Sequence, residues 1–430
     1  MFEARRKAFM ERMGGKGIAI FLSCPEYQRS ADSLEFTYRQ DSNFYYLTGL
    51  DEPDSICVLA PEQPEHKFIL FVRPRDPKQE SWTGKRIGTE GAIKEYGADA
   101  AYSLKELDEK LQEYLKGCQT LYYSSGSSTH FDSELTRLLT THRHVFQPRA
   151  IYDAMFPLSE MRVNKSPAEL DVIRQAASIS AEAYREVLKV LKPDMYEYEV
   201  QATLEYVFRK HGSARNGYAS IVGSSGNATI MHYDKNDRRM AAGDLVLIDA
   251  ACEYQHYSAD ITRTYPVNGS FSKVQRALYE VVLHALEHAI ASVKPGITLN
   301  DLHNQTLQDL VSGMVELGIL KGEVAKLIED KAYMPFYGYF TCHWLGLDVH
   351  DKGPYKSRGL WDEDILLAPG MVFTIEPGLY IPAGTEGVDP IYWNIGIRIE
   401  DNVIVTAAGC ENITADAPKS IADIEASMSR

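Results

Sequence analysis

Three apolar, strand-like stretches of this sequence each run into a carboxylate, and this feature constrains the fold more than any other. The residues LVLI lead into Asp249, MVFTI leads into Glu376, and IGIRI leads into Glu400. A carboxylate at the end of a buried strand is costly unless an opposite charge pairs with it or a metal ion binds it. The fold must therefore bring a positive charge to each of these strand ends.

A second aspartate, Asp260, follows Asp249 within the segment YSADITRT. Two strands joined by a tight connection would bring the two aspartates together, and like charges at close range require a cation between them. The alternative is that Asp249 caps a turn while Asp260 pairs with Arg263. Both interpretations stay open at the level of this pair.

The segment IGIRIED adds an arginine to the same pattern. Because side chains alternate along a strand, its three isoleucines share one face, and Arg398 and Glu400 share the other. An inward guanidinium beside an inward carboxylate indicates a site, in which Arg398 would orient Glu400. The alternative is an ordinary ion pair on a solvated face. His343 and His350, taken singly, are equally compatible with half-buried structural histidines.

Taken together, these segments supply four carboxylates and one imidazole, all at strand ends or in apolar surroundings. Oxygen ligands with a single histidine suit Mn²⁺, Fe²⁺, Co²⁺ or Zn²⁺ better than a thiolate site would. One metal ion rarely needs four carboxylates, whereas two ions bridged by carboxylates would use all five groups. The sequence therefore predicts two divalent ions, of Mn²⁺, Fe²⁺, Co²⁺ or Zn²⁺, held by Asp249, Asp260, Glu376, Glu400 and one histidine.

The bulk composition narrows the function classes. Across 430 residues, 45 lysines and arginines against 60 aspartates and glutamates give a formal charge of -15, which argues against a nucleic-acid partner. Six scattered cysteines form no C-x-x-C pair and indicate reduced thiols. The charged, helix-like N-terminus and the short apolar runs predict neither a secretion signal nor a membrane span. We therefore expect a cytoplasmic protein.

The order of predicted elements indicates two domains, residues 1–165 and 166–430. The first alternates helices and strands and is predicted as a small α/β domain. The second mixes them without regular alternation, which predicts an α+β fold with mostly antiparallel strands. Strands are predicted at 17–22, 55–60, 67–71, 120–123, 245–249, 371–376 and 395–405. Helices are predicted at 2–13, 104–115, 166–191, 197–210, 272–293 and 299–317.

The order Asp249, Asp260, His343, Glu376 and Glu400 resembles the ligand set of the pita-bread metallopeptidases, which include methionine aminopeptidase, prolidase, aminopeptidase P and creatinase. The resemblance implies that these five residues hold the two ions, with Mn²⁺ the favoured metal. The segments DITRT, HWLGLDVHD, TIEPGLY and GIRIE match the proline-specific branch, and YRQDSNFYYLTG, RDP and W-x-G-x-R resemble the amino-terminal domain of aminopeptidase P. The resemblance covers nearly the whole chain. It implies a small N-terminal α/β domain followed by a C-terminal pita-bread catalytic domain.

The resemblance also implies roles for individual residues. Asp260 and Glu400 would bridge the two metal ions, and Glu376 would double as a proton shuttle. His350 would steady the tetrahedral intermediate. Further catalytic or substrate contacts are implied at His232, Arg398 and Tyr380. One departure stands out: Tyr339 occupies a position where the family commonly has histidine, which affects the expected substrate pocket.

The implied activity is release of the first residue from peptides with proline second, by attack of a metal-held hydroxide on the X-Pro bond. The alternatives are a prolidase confined to X-Pro dipeptides, creatinase-like chemistry, and a metal-free protein-binding module. The helix segment HALEH, from His284 to His288, also spells a zinc motif, but a solvated face explains it better. A homodimer or homotetramer is expected, with Trp82 as a candidate residue closing a partner's site.

Overall fold

The computed structural model describes residues 1–30, 34–141, 148–356 and 363–429. Within them the chain divides into two units, Met1–Met161 and Arg162–Arg430. This division lies four residues before the domain boundary predicted from the sequence, which stays a prediction. Each unit has its own buried apolar cluster and is described separately.

The first unit is built on a mixed six-stranded sheet in the order β6-β5-β4-β1-β7-β8. β4 pairs antiparallel with both β1 and β5, whereas the pairs β5–β6, β1–β7 and β7–β8 are parallel. A short hairpin of β2 and β3 stands outside this sheet. The strands are β1 (Ile18–Leu22), β2 (Gln28–Ser30), β3 (Leu34–Glu35), β4 (Ile56–Leu59), β5 (Phe68–Val72), β6 (Ala100–Ser103), β7 (Thr120–Tyr122) and β8 (Ala150–Tyr152).

Helices border this sheet, and capping residues in the sequence mark where two of them begin. Asp41 caps α2 by accepting hydrogen bonds from two backbone N–H groups, and Asp76 does the same for α3, which has Pro77 in its first turn. The helix predicted at 104–115 starts instead as a 3₁₀ turn, Leu104–Glu106. The helices are α1 (Phe2–Arg12), α2 (Ser42–Thr48), α3 (Pro77–Thr83), α4 (Gly88–Lys94), α5 (Leu107–Leu115), α6 (Thr129–Thr141) and α7 (Met155–Val163).

The second unit opens with a long helix whose capping was expected. Ser166 and Glu169 form a reciprocal capping box before it, and the helix ends at the residues preceding Pro193. In the described ranges, none of the helices has the length and apolar character that crossing a membrane requires. The helices are α8 (Pro167–Val190), α9 (Glu197–Lys210), α10 (Lys273–Ser292), α11 (Leu299–Glu316), α12 (Val324–Glu329) and α13 (Ile421–Met428).

The strands of the second unit form small antiparallel sheets, as predicted. They pair in the orders β10-β11-β14, β13-β12-β9, β15-β18-β19 and β16-β17. The strands are β9 (Arg215–Asn216), β10 (Ile221–Ser224), β11 (Leu245–Asp249), β12 (Cys252–Tyr254), β13 (Tyr257–Ser258), β14 (Thr262–Pro266), β15 (Val372–Ile375), β16 (Gly378–Ile381), β17 (Ile395–Arg398), β18 (Asp401–Val405) and β19 (Cys410–Asn412).

The single strand predicted at 395–405 is wrong, because the chain changes partners there. β17 pairs with β16, whereas β18 pairs with β15. Glu400 lies in the break, where its N–H donates to the Thr262 carbonyl at 3.0 Å. The strand predicted at 371–376 likewise ends before Glu376, and Pro377, which has no N–H to donate, separates β15 from β16. Two of the candidate ligands therefore lie at breaks between strands.

Candidate active site

The second unit contains a cavity of about 830 Å³. Nine of the residues singled out from the sequence line it, and they come from strand ends and loops that are far apart in the chain. Tyr380 lies behind this wall, and Trp82 belongs to the first unit. The nine residues are His232, Asp249, Asp260, Tyr339, His343, His350, Glu376, Arg398 and Glu400.

The pairing of β11 with β14 brings the two aspartates together. Asp249 is the last residue of β11 and lies opposite Thr262 in the antiparallel register, so that Asp260 comes just before this point on the neighbouring strand. The Asn402 side chain fixes Asp260 from both sides: its Oδ1 accepts from the Asp260 N–H at 2.9 Å, and its Nδ2 donates to the Asp260 carbonyl at 2.6 Å. The expectation that adjacent strands bring the pair together is confirmed.

Asp260, His343 and Glu400 form the centre of the cluster. Each offers one ligand atom, and these atoms all lie within 4.8 Å of one another. One oxygen of Glu400 accepts a hydrogen bond from the Thr262 hydroxyl at 2.7 Å, which orients the carboxylate. Thr262, the first residue of β14, therefore supports Glu400 from a position two residues after Asp260.

His343 presents one ring nitrogen to two carboxylates. Its Nδ1 lies 3.1 Å from the Trp344 carbonyl, which can only accept, so that this nitrogen carries a proton. The opposite nitrogen, Nε2, lies 3.3 Å from Asp260 Oδ2 and 3.6 Å from Glu376 Oε1. A nitrogen lone pair facing carboxylate oxygens requires a proton or a metal ion between them.

The electrostatics of the cluster favour bound cations. Burial raises the pKa of the Asp260 carboxyl well above its usual value, and the charge of Asp249 raises it further. The pKa values of Glu376 and Glu400 are also raised, first by burial and then by the neighbouring carboxylates. These directions describe the metal-free site, in which four carboxylates repel one another.

Two further observations bear on whether metal ions fit these residues. Asp249 Oδ1 is buried and has no hydrogen-bond partner among the residues that the structure describes. Arg263, the alternative partner for Asp260, instead pairs with the fully buried Asp401 at 2.6 Å. A buried acceptor without a partner and an aspartate beside a histidine suit hard or borderline divalent ions.

Arg398 differs from its expected role. Its guanidinium donates to Asp249 Oδ2 at 2.5 Å and to the Tyr380 hydroxyl at 2.6 Å, and its Nε donates to the Thr262 hydroxyl at 3.1 Å. The hydrogen bonds of Arg398 therefore orient Asp249 directly and reach Glu400 only through Thr262. Register explains this, because the Arg398 side of β17 faces the end of β11, where a buried carboxylate needs a partner.

Tyr339 and Tyr380 extend this hydrogen bonding in one direction. Tyr380 accepts from Arg398, and its hydroxyl lies 3.0 Å from the Tyr339 hydroxyl. Tyr339 in turn donates to the Glu376 carbonyl at 2.9 Å. Since each hydroxyl has one proton, Tyr380 donates to Tyr339, and the chain runs from Arg398 to the backbone of Glu376. The Tyr339 hydroxyl thus holds the backbone of Glu376, a candidate ligand, in place.

His350 and His232 lie on the open side of the cluster. The rings of His350 and His343 have centroids 4.2 Å apart. The pKa of His350 is lowered to about 4, first because surrounding protein atoms displace water and then because of the nearby imidazoles of His343 and His232. His350 is therefore neutral at neutral pH and retains one N–H that it can donate into the cavity.

A buried ionic network anchors the loop that carries His350. The next residue, Asp351, accepts hydrogen bonds from Arg162 and from Lys165, the latter at 3.2 Å, and all three side chains are almost fully buried. The Asp351 N–H also donates to the Trp344 carbonyl at 2.8 Å. The loop from His343 to His350 is thereby held at both ends.

Sequence reasoning missed several residues of the site. Thr262 could have been found, because its hydroxyl stands two residues after Asp260 in the segment DITRT. Tyr218, which lines the cavity and hydrogen-bonds Asp260, gave no sequence signal. Asn402 and the anchor residues Arg162 and Lys165 were equally silent, because only the tertiary structure gives them partners.

Metal binding is expected to stabilise the protein more at high pH than at low pH. The raised pKa values of Asp260, Glu376 and Glu400 mean that, without metal, the folded site holds protons that the unfolded chain releases near pH 4, so metal-free stability falls as pH rises through the folded pKa values. Metal ions replace these protons. The Mn²⁺-induced gain in melting temperature, measured by calorimetry, should be larger at pH 8 than at pH 6.

Asp260→Asn provides the control for this measurement. The variant removes one of the repelling charges and one ligand, and should therefore show a small Mn²⁺ gain at both pH values. An equal gain at pH 6 and pH 8 in the unmodified protein would mean that protons and metal ions do not compete for these carboxylates.

Comparison with known proteins agrees with this geometry. The profile of Metallopeptidase family M24 matches residues 171–407, and that of Aminopeptidase P, N-terminal domain, matches residues 2–122. The Xaa-Pro aminopeptidase of Escherichia coli (strain K12) is 41% identical over 433 residues, covering 99% of this chain and 97% of that protein.

Two solved structures extend the likeness to three dimensions. Pseudomonas aeruginosa aminopeptidase PepP has a TM-score of 0.96 and 42% identity, covering 99% of this chain and 97% of that one. Zn-substituted E. coli aminopeptidase P in complex with product has a TM-score of 0.94 and 40% identity, with the same coverage. The predicted two-domain pita-bread fold is confirmed. The chain therefore belongs to metallopeptidase family M24 and carries an aminopeptidase P amino-terminal domain.

Proposed function

We propose that this protein is a metal-dependent aminopeptidase that releases the first residue from peptides with proline in second position. The observation that carries the proposal is the convergence of four carboxylates and His343 in one cavity of a family M24 fold. The likeness to Xaa-Pro aminopeptidases runs over nearly the whole chain and includes the amino-terminal domain, which favours an aminopeptidase over a prolidase.

Membership of a metallopeptidase family implies divalent metal ions, and we assign two to this site. Asp249, Asp260, His343, Glu376 and Glu400 would hold them, with Mn²⁺ as the proposed metal and Zn²⁺, Co²⁺ or Fe²⁺ as alternatives. When bound, such ions lower the pKa of a water molecule and polarise the substrate carbonyl. The remaining chemistry belongs to the residues of the chain.

His350 is suited to the developing charge on the carbonyl oxygen. A neutral imidazole N–H fixed at the cavity wall stabilises an oxyanion without the reorganisation that water would need. The pKa of about 4 keeps the ring neutral across the physiological range. His232, which lines the same side, would contact the substrate and position it beneath this donor.

Glu376 is the proposed proton carrier. One of its oxygens, Oε1, lies towards His343 at 3.6 Å, which leaves Oε2 for a proton. The leaving group is a proline nitrogen, which has no N–H in the peptide and must gain a proton for the bond to break. The hydrogen bond from Tyr339 to the Glu376 carbonyl keeps this residue in place.

The charge of the cavity accounts for action at the amino terminus. The proposed metal ions would offset the charge of the four ligand carboxylates, whereas Asp234, which also lines the cavity, is not among the ligands and keeps the wall acidic. A substrate α-amine is positively charged at neutral pH and would be drawn to this wall. Only a free amino terminus supplies that charge beside the first peptide bond.

An exposed tryptophan in the amino-terminal domain leads us to propose that copies of the chain assemble. Trp82 lies on α3 with 83% of its surface exposed, so it is not a core residue of its own unit. We propose that it closes the site of a second copy of the chain in a homodimer or homotetramer.

A cytoplasmic location is proposed because all six cysteines, each within the described ranges, are free thiols.

The preference for longer peptides is tested with Ala-Pro-Ala and Ala-Pro. We expect the Mn²⁺-loaded enzyme to release alanine from the tripeptide with a much higher kcat/KM than from the dipeptide. Ala-Ala-Ala is the matched control for proline and should be a poor substrate. Hydrolysis confined to Ala-Pro would identify a prolidase and refute the proposed specificity.

Replacing His350 tests the oxyanion contact. His350→Ala should lower kcat on Ala-Pro-Ala by about 10²–10³-fold, as expected for loss of one preorganised donor. The bound metal, measured by mass spectrometry of the purified protein, should not change, because His350 is not one of the proposed ligands. His211→Ala, at a half-exposed histidine paired with Glu182, is the control and should keep full activity. Unchanged kcat in His350→Ala would exclude the assigned role.

Trp82→Ala tests the role of the exposed tryptophan. If the ring closes a partner's site, the variant should raise KM by about tenfold, which corresponds to about 1.4 kcal/mol of lost contact, with little change in kcat. Wild-type KM in an assembly of unchanged size would contradict this role.

A further inference from the structure

The helices α10 and α11 pack closely in the second unit, and three potential metal ligands meet on their outer surface. Gly313 allows the close approach, because a side chain there would meet Val281 at 2.4 Å. His284 and His288 are four residues apart on α10 and therefore share one face of the helix. Their ring planes are 24° apart with centroids at 5.7 Å, and Asp309 of α11 lies beside them.

The contacts among these residues are already those of a nearly formed site. Asp309 Oδ2 lies 2.8 Å from His288 Nδ1, and Asp309 Oδ1 lies 4.0 Å from His284 Nε2. One ligand atom from each residue lies within 4.8 Å of the other two. Side-chain exposure falls from 69% for His284 and 48% for His288 to 13% for Asp309, so the carboxylate forms the floor of an open group.

We propose that His284, His288 and Asp309 form a surface site for one borderline divalent transition-metal ion of the zinc or nickel type. Two imidazoles and one carboxylate match the preference of these ions, whereas a site of oxygen atoms alone would suit Ca²⁺ or Mg²⁺. Metal–ligand distances of about 2.0–2.1 Å place tetrahedral ligands about 3.3 Å apart. His284 must therefore move towards Asp309 from 4.0 Å, and His288 must move slightly away from 2.8 Å. The exposed imidazoles can do this by small rotations.

Binding exchanges the proton between His288 and Asp309 for the ion. The proton on His288 Nδ1 leaves to solvent, and Nε2 holds the one proton of the ring, taking it from solvent if it has none, so that the coordinated imidazole is neutral. Water completes the coordination from the open side. The zinc motif read from the sequence, HALEH, takes its acid from Glu287, whereas the group found among the described residues uses Asp309 of the neighbouring helix instead. The structure thus retains the two histidines of that motif and replaces its carboxylate.

The second imidazole distinguishes this group from an ordinary histidine–carboxylate pair. Such a pair exists elsewhere in the same unit, where His211 Nε2 lies 3.0 Å from Glu182 Oε1. It has one imidazole and one carboxylate, and no second histidine joins it in the metal-binding groups of the described residues. The His211 pair therefore serves as a matched control within the same protein.

An ion at this site would join α10 to α11. The Gln305 side chain of α11 already donates to the His288 carbonyl at 3.1 Å, which ties the two helices at this level. The first residues of α11, Leu299 and Asn300, line the active-site cavity. Because the ion binds the folded helix pair only, it should raise the melting temperature as its free concentration exceeds the dissociation constant. The proposed site shares no residue with the catalytic centre and does not rest on the proposed function.

The test counts zinc ions in the whole protein. Wild type, H284Q/H288Q and H211Q are dialysed against the same micromolar free Zn²⁺, and bound zinc is measured by mass spectrometry together with circular dichroism. H284Q/H288Q should bind one zinc per chain fewer than wild type, and H211Q should bind as many as wild type. D309N should weaken binding while keeping both imidazoles.

The outcomes separate the proposal from its alternatives. Equal zinc content in wild type and H284Q/H288Q, with equal circular dichroism, would overturn the site. A loss of one zinc in H211Q as well would also overturn it, since a single histidine paired with a carboxylate would then be enough to bind zinc. Zinc-induced stabilisation should be smaller in H284Q/H288Q than in wild type. Because zinc is counted directly, the result is independent of whether peptides with proline are cleaved.

Discussion

The structure of the catalytic unit depends on the repulsion of four carboxylates buried around one cavity. Arg398 pairs with Asp249, whereas Asp260 and Glu376 both face the imidazole of His343. Arg398 and neighbouring hydroxyl groups relieve this repulsion only in part, because the pKa values of Asp260, Glu376 and Glu400 stay raised, and Arg263 is paired with Asp401 instead. Proteins retain such an arrangement where a bound cation completes it, since the metal–carboxylate bonds then form part of the folding free energy.

Holding these carboxylates close together requires rigid supports, and the unit supplies them from distant segments. Asn402 grips the backbone of Asp260, and Thr262 orients Glu400. The tyrosine pair carries the hydrogen bonding of Arg398 to the backbone of Glu376. Around them, the strands of small antiparallel sheets end or change pairing partners near the ligands. The carboxylates therefore project from strand ends or from the breaks between strands. The irregularity of the strands is therefore what lets polar side chains face the cavity.

The sequence indicated the chemistry better than it indicated the geometry. Asp249, Glu376 and Glu400 could be identified because each follows an apolar run. Burying a carboxylate without a partner is costly in any fold. The break within residues 395–405 could not be seen, since alternation of side chains continues across it while the hydrogen-bond partner changes. The partner of Arg398 was assigned to Glu400 as its neighbour along the strand, whereas the neighbouring strand provides Asp249. The contact of Asp309 with His284 and His288 could not be predicted either, because a contact between two helices leaves no periodic signal in the sequence.

The central claim is that the five ligands hold two cations, and anomalous X-ray diffraction tests it most directly. Crystals grown with Mn²⁺ would be measured on both sides of the manganese absorption edge. We expect two anomalous peaks in this cavity of each chain, within bonding distance of carboxylate oxygens of Asp249, Asp260, Glu376 and Glu400 and of the His343 imidazole. Crystals whose cavity contains no anomalous peak at saturating Mn²⁺, with those side chains ordered, would contradict it.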